Sequence, residues 1–204
     1  MIEVPRQAER VLFLPGASGD RDFWKPVADR IRHSGEKVLL GWPGFGANPP
    51  DPSIESLDNL FASVLRRIDR PVDLIAQSMG GVLAVRAALE KPELVRHLVL
   101  TATSGGVDVS RFGAADWRPE HRRNRPGAPE WFTTDRSDFS ARLSEVKAPA
   151  LLIWSDADPI SPVSVGRYLA ATLPRAELVI VPGADHMFAR DRAEEIASRI
   201  ERFV

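Results

Sequence analysis

A serine hydroxyl becomes a nucleophile only when an imidazole stands ready to take its proton, and the imidazole needs a carboxylate to fix its tautomer. This chain carries the three groups in the order Ser78, Asp158, His186. Ser78 is the most telling. From Val72 to Val85 the chain reads VDLIAQSMGGVLAV: an apolar run, a break at a serine held among small residues, and a second apolar run. That pattern predicts a strand, a sharp turn and a helix with Ser78 at the apex. In the G-x-S-x-G elbow, small neighbours let two backbone segments pass close while the serine is forced into a strained turn that aims its hydroxyl out of the sheet. Here the elbow is Ala76-Gln77-Ser78-Met79-Gly80, with alanine at the first glycine position. The plainer reading of the same residues is a strand followed by a helix whose N-cap is a serine.

The other two groups stand in loops that follow apolar runs. After Leu151-Leu152-Ile153-Trp154 comes Ser155-Asp156-Ala157-Asp158-Pro159, and after Leu178-Val179-Ile180-Val181 comes Pro182-Gly183-Ala184-Asp185-His186. His33, His97 and His121 have no such loop context. Asp185 reads as a solvated loop carboxylate, and Asp20 and Asp22 as turn and cap residues. None of these residues forms a metal-binding set, and no cofactor is implied.

Positioning these groups requires strands whose carboxyl ends meet. Val11 to Leu14 and Lys37 to Leu40 read as strands, with a helical pattern from Phe23 through Val27 to Ile31 between them. Gly41 to Ser53 is too rich in glycine and proline to be helical. From Ser53 on, Ile54, Leu57, Leu60, Phe61, Val64, Leu65 and Ile68 fall at helical spacing. The elbow strand and helix follow, then a strand at Arg96 to Thr103. Further strands are expected at Ala150 to Trp154 and Glu177 to Val181, and helices at about Val163 to Leu173 and Arg192 to Phe203. Such alternation implies an α/β fold: a mostly parallel sheet of about six strands with helices on both faces. Residues 104–145 break the rhythm, and read as an insertion within one domain spanning residues 1–204.

With 204 residues the chain is long enough to bury roughly 70% of its unfolded surface, so a core needs no staples. A net charge of −1 gives no global field to recruit nucleic acid or an anionic membrane. The absence of cysteine removes disulfides, thiolate metal sites and cysteine nucleophiles from consideration. The start, MIEVPRQAER, lacks an apolar leader core, and no run of about 18 apolar residues occurs, so a cytoplasmic location is expected.

With serine, acid and histidine in this order at the ends of successive strands, the chain resembles the α/β-hydrolase superfamily from Val11 to Val204. The resemblance implies the nucleophile at Ser78 and the histidine at His186. It favours Asp158 over its rival Asp156 as the acid, because Asp158 and Pro162 match the family's D-x-x-x-P, although Ser155 replaces the glycine that usually opens that loop. The family's oxyanion loop falls on Pro15-Gly16, which places the backbone N–H groups of Ala17 and Met79 on the developing negative charge. Proline takes the place of the usual histidine there. The resemblance also implies a small member that lacks most of the family's first two strands, with residues 104–145 as a short cap.

Trp42 and Phe45 in the glycine-rich loop, and Trp117, Trp131 and Phe132 in the insertion, are candidate substrate-pocket residues, as is Phe112. Their alternative role is a satellite core under the insertion. The run Arg118 to Arg125 could steer an anionic substrate or be a solvated loop. The expected activity is a serine hydrolase acting on a small-molecule acyl substrate, an ester or thioester, through an acyl-enzyme. Lactone or carbon–carbon hydrolysis on the same triad, or a binding protein that turns over little, are the alternatives.

Overall fold

The structure is a computed structural model that describes residues 8–204. Residues 1–7, most of the stretch read above for a leader, lie outside the described residues. Six strands form one sheet: β1 (Arg10–Leu14), β2 (Glu36–Leu39), β3 (Val72–Gln77), β4 (Val95–Thr101), β5 (Ala150–Ser155) and β6 (Ala176–Val181). Their order is β2-β1-β3-β4-β5-β6, and every neighbouring pair is parallel. The chain runs outward from β1 to β2, then crosses back to β3 and proceeds the other way. The reversal makes the gap between the carboxyl ends of β1 and β3 the switch point, where open parallel sheets leave a crevice. Ser78 follows β3 and the Pro15-Gly16 loop follows β1, one on each side of it.

Side-chain alternation divides the core between the two faces. Leu12, Leu14, Leu74 and Ala76 point to one face, against α2 (Leu57–Leu65), α3 (Met79–Glu90) and α6 (Val163–Thr172). Val11, Phe13, Ile75 and Val99 point to the other, against the short α1 (Lys25–Ala28) and the terminal α8 (Ala193–Phe203). β3 is buried along its whole length, as a strand covered on both faces must be. No helix among the described residues is long and apolar enough to cross a membrane.

Two helices are shorter than the spacing predicts. The Phe23–Ile31 pattern folds as a 3₁₀ turn, Arg21–Trp24, and one α-turn, α1, that places Phe23, Trp24, Val27 and Ile31 in the core. Lys37 Nζ reaches back to the carbonyls of Ala28 and Ile31, satisfying acceptors that a longer helix would have used itself. α2 begins at Leu57 because Ser56 is its N-cap, its hydroxyl accepting from Asn59 N at 3.1 Å. Ser53 is instead held in a turn by Asp51. Residues 104–145 carry short elements of their own, including α4 (Arg118–Asn124) and α5 (Trp131–Thr134). A last short helix, α7 (Phe188–Asp191), precedes α8.

Candidate active site

The elbow is strained where the sequence requires it. Ser78 has φ 52° and ψ −120°, a conformation that costs about 1–3 kcal/mol in a residue other than glycine. Close packing enforces it. A Cβ on Gly80 would lie 2.5 Å from the carbonyl oxygens of Leu14 and Pro15, and one on Gly16 would lie 2.1 Å from Gln77 Oε1 and 3.0 Å from Ser78 Cβ. Backbone bonds hold the apex: Ser78 N donates to Thr101 O at 3.0 Å, and Ser78 O accepts from Gly81 N at 2.9 Å and from the Thr103 hydroxyl. The Ser78 hydroxyl makes no capping bond to α3. It is left for His186.

Ser78 Oγ lies 3.1 Å from His186 Nε2, and His186 Nδ1 lies 2.7 Å from Asp158 Oδ2. An ionised carboxylate can only accept, so the bond to Asp158 puts the imidazole proton on Nδ1 and leaves Nε2 to accept from the serine. The Asp158 side chain is fully buried, and a buried charge must be bonded to persist. Its second oxygen accepts from Ile160 N at 2.8 Å and Ser161 N at 3.2 Å. Asp156 is exposed and does something else: its carboxylate accepts from Gly183 N at 2.6 Å, bracing the loop that carries His186. The geometry therefore separates the two candidate acids.

Ser78, Ala17 and Met79 share the wall of a cavity of about 650 Å³, most of whose lining comes from residues 104–138. Met79 is the first residue of α3, so its N–H has no intrahelical acceptor and is free for an anion. Of the aromatic residues expected in a pocket, Trp117 and Phe132 line this cavity. Trp42, Phe45, Trp131 and Phe112 are not in its wall. Trp42 and Phe45 are buried in the core, and Trp131 packs behind Phe132, with Phe45 touching both rings at centroid distances of 5.7 and 5.0 Å. All three belong to the core cluster that covers one face of the sheet, Trp42 and Phe45 inside it and Trp131 packed against it. Arg118 and Arg136 line the cavity, but so do Asp108, Asp116, Asp135 and Asp138, so its wall is not of one sign. Within the arginine run, Arg122 binds Thr133 Oγ1 and Arg125 binds Ser18 O.

Several supporting residues carry no sequence signal of their own. Thr103 holds the Ser78 carbonyl through its hydroxyl, and its own carbonyl accepts from Ser161 Oγ at 3.0 Å. Ser161 N in turn donates to Asp158, while Trp154 Nε1 donates to the Ser161 hydroxyl at 3.0 Å. The elbow and the acid loop are thus tied together without passing through the histidine. Ser155, at the position where glycine was expected, bonds through its hydroxyl to both the N–H and the carbonyl of Ala184. That bond joins the acid loop to the histidine loop. Ala102, which also faces the cavity, has φ 45°.

A family model described as alpha/beta hydrolase family matches residues 11–145 and 106–199. The chain belongs to the alpha/beta hydrolase family. Among curated relatives, the pimeloyl-[acyl-carrier protein] methyl ester esterase of Nitrosomonas europaea is 25% identical, over 91% of this chain and 91% of its own. A 2-hydroxy-6-oxononadienedioate/2-hydroxy-6-oxononatrienedioate hydrolase of Paraburkholderia phymatum is 27% identical, over 93% of this chain and 83% of its own. A solved thermophilic esterase from Thermogutta terrifontis superposes with a TM-score of 0.77 at 20% identity, covering 97% of this chain and 89% of that one. The two curated likenesses support a hydrolase, and the superposition shows the fold. In this chain the switch-point crevice holds Ser78.

Proposed function

We propose that this protein is a serine hydrolase that cleaves a small carboxylic ester or thioester through an acyl-enzyme. The observation that carries the reading is the unbroken chain of contacts from Ser78 Oγ to His186 Nε2, and from His186 Nδ1 to Asp158 Oδ2, at the wall of a cavity large enough for a small substrate. In the first half-reaction Ser78 Oγ attacks the acyl carbon as its proton passes to His186 Nε2. The carbonyl oxygen becomes an anion, held by the N–H groups of Ala17 and Met79. Collapse of the tetrahedral intermediate expels the alcohol or thiol, which takes the proton from His186. Water then attacks the acyl-enzyme, His186 takes its proton and returns it to Ser78, and the free acid leaves.

Labelling with a fluorophosphonate tests this directly. Stoichiometric modification at Ser78, abolished in Ser78→Ala, is expected, together with loss of short-chain aryl ester hydrolysis by several orders of magnitude in the variant. A folded wild type that resists the probe would favour a binding protein. The likeness to the Paraburkholderia phymatum hydrolase supports a second reading, in which the bond broken is carbon–carbon. Turnover of a vinylogous 1,5-diketone at a rate above that of any ester would establish it.

A further inference from the structure

The Pro15-Gly16 loop that follows β1 is braced by a buried indole. We propose that Trp42 is a positioning residue: its indole N–H fixes the Gly16–Ala17 peptide so that the Ala17 N–H faces the oxyanion. The inference rests on the hydrolase reading above. Trp42 is fully buried, and its Nε1 donates to Gly16 O at 3.0 Å. The same carbonyl accepts a second bond, from Gly19 N at 3.0 Å. In a trans peptide the N–H points opposite to the C=O. A Gly16 carbonyl turned inward to the indole therefore turns the Ala17 N–H outward, toward the cavity that Ala17 and Ser78 share.

Trp42 grips the loop at both ends. Its backbone N–H donates to Gly19 O at 3.1 Å, and Asn48 Nδ2 reinforces that carbonyl at 2.6 Å. The loop cannot slide away from it, because Gly19 has φ +64° and a Cβ there would lie 2.1 Å from Phe45 Cβ. The contact also acts along the peptide itself: a hydrogen bond accepted at the carbonyl polarises the amide and strengthens its N–H as a donor. The effect is largest when that N–H meets a full negative charge, so it belongs to the transition state and not to the bound substrate.

Trp42→Phe removes the donor together with the five-membered ring that carries it, and Trp24→Phe makes the same cut at an equally buried indole. Losing an oxyanion donor outright costs about 100- to 1,000-fold in kcat, so losing its brace is expected to cost about 10- to 100-fold, with KM within about twofold. Affinity for a boronic acid that forms a tetrahedral anion on Ser78 should fall by the same factor. Trp24→Phe is the control, because Trp24 Nε1 donates to Leu14 O at 2.9 Å, equally buried, yet the Leu14–Pro15 peptide carries no N–H to aim. It should lower thermal stability and leave kcat unchanged. Equal kcat losses in both variants, or an unchanged kcat and boronate affinity in Trp42→Phe, would overturn the proposal while leaving wild-type labelling of Ser78 untouched. Should Trp42→Phe not fold, the wild type still decides: the Trp42 indole N–H resonance should move downfield when the boronate adduct forms, and no movement refutes the brace.

Discussion

Strand β3 has a buried aspartate–histidine constellation near each end, built from the same groups at similar distances. At the carboxyl end Asp158 holds His186 at 2.7 Å. At the amino end Asp73, 1% exposed, holds two imidazoles, His97 Nδ1 on Oδ1 at 2.8 Å and His33 Nε2 on Oδ2 at 3.1 Å. The difference lies in the second imidazole nitrogen. His33 Nδ1 accepts from Gly35 N at 2.8 Å, so both of its nitrogens are spent on structure. His97 packs its ring edge-on to Phe203 of α8. Among the described residues only His186 turns its second nitrogen to a hydroxyl on a strained turn. A buried carboxylate–imidazole pair is therefore not a catalytic signature by itself; what it faces, and which end of the sheet it occupies, decides its use.

The sharpest way to test that contrast is to neutralise each carboxylate in turn. Asp158→Asn presents the wrong hydrogen-bonding partner to His186 Nδ1 and should lower kcat by about 10⁴-fold. Asp156→Asn keeps an acceptor for Gly183 N and should cost about tenfold or less, through loosening of the histidine loop. Ester kinetics on the two variants give the ranking, and the reverse order would move the acid to Asp156. Asp73→Asn should do the opposite of Asp158→Asn. It leaves the buried His33 and half-buried His97 imidazoles facing an amide and removes a junction between β3, β4 and the α1–β2 connection, so a loss of about 3–5 kcal/mol is expected. That loss corresponds to roughly 10 °C in Tm for a chain of this size, with kcat/KM at low temperature unchanged. A catalytic defect in Asp73→Asn, at a temperature where it is fully folded, would break the contrast.

The two ends were not equally legible in the sequence. Ser78, Asp158 and His186 sit just beyond apolar runs, in loops with glycine or proline, and an alternating pattern is enough to align those loops at one edge of a parallel sheet. Asp73 and His97 lie inside strands, where the signal is only a polar residue interrupting an apolar run, and their pairing depends on the register of β3 against β4. His33 lies in the connection after α1, whose early stop comes from Lys37 and not from a local breaker. The aromatic residues were harder still. Trp42 and Phe45 have the composition of a pocket wall, but glycines with left-handed backbone at 44 and 46 fold their loop so that both rings turn inward. Side-chain direction in a loop follows from φ and ψ, which spacing does not encode.

His121 completes the set, as the histidine with no carboxylate partner, and it yields the smallest effect. Its ring stacks edge-on against Phe132 and Trp117, and its Nε2 is buried without a partner among the described residues. Desolvation, followed by the nearby charges of Arg125 and Arg122, holds its pKa below the ordinary histidine value. The sign of the consequence follows from linkage. The folded segment resists a proton that the unfolded chain accepts near pH ~6.5, so the stability of this region is complete above that pH and is lost as pH falls below it. The imidazole is only partly buried, so water screens the charge and the effect should stay local to α4 and α5. Amide hydrogen exchange across residues 118–134 is expected to speed up between pH 7 and 5 beyond its intrinsic pH dependence, and His121→Phe should remove that excess while leaving the exchange of β3 as it was. Identical profiles in the two proteins would show that this imidazole, lacking an aspartate, is a packing residue whose charge the fold does not register.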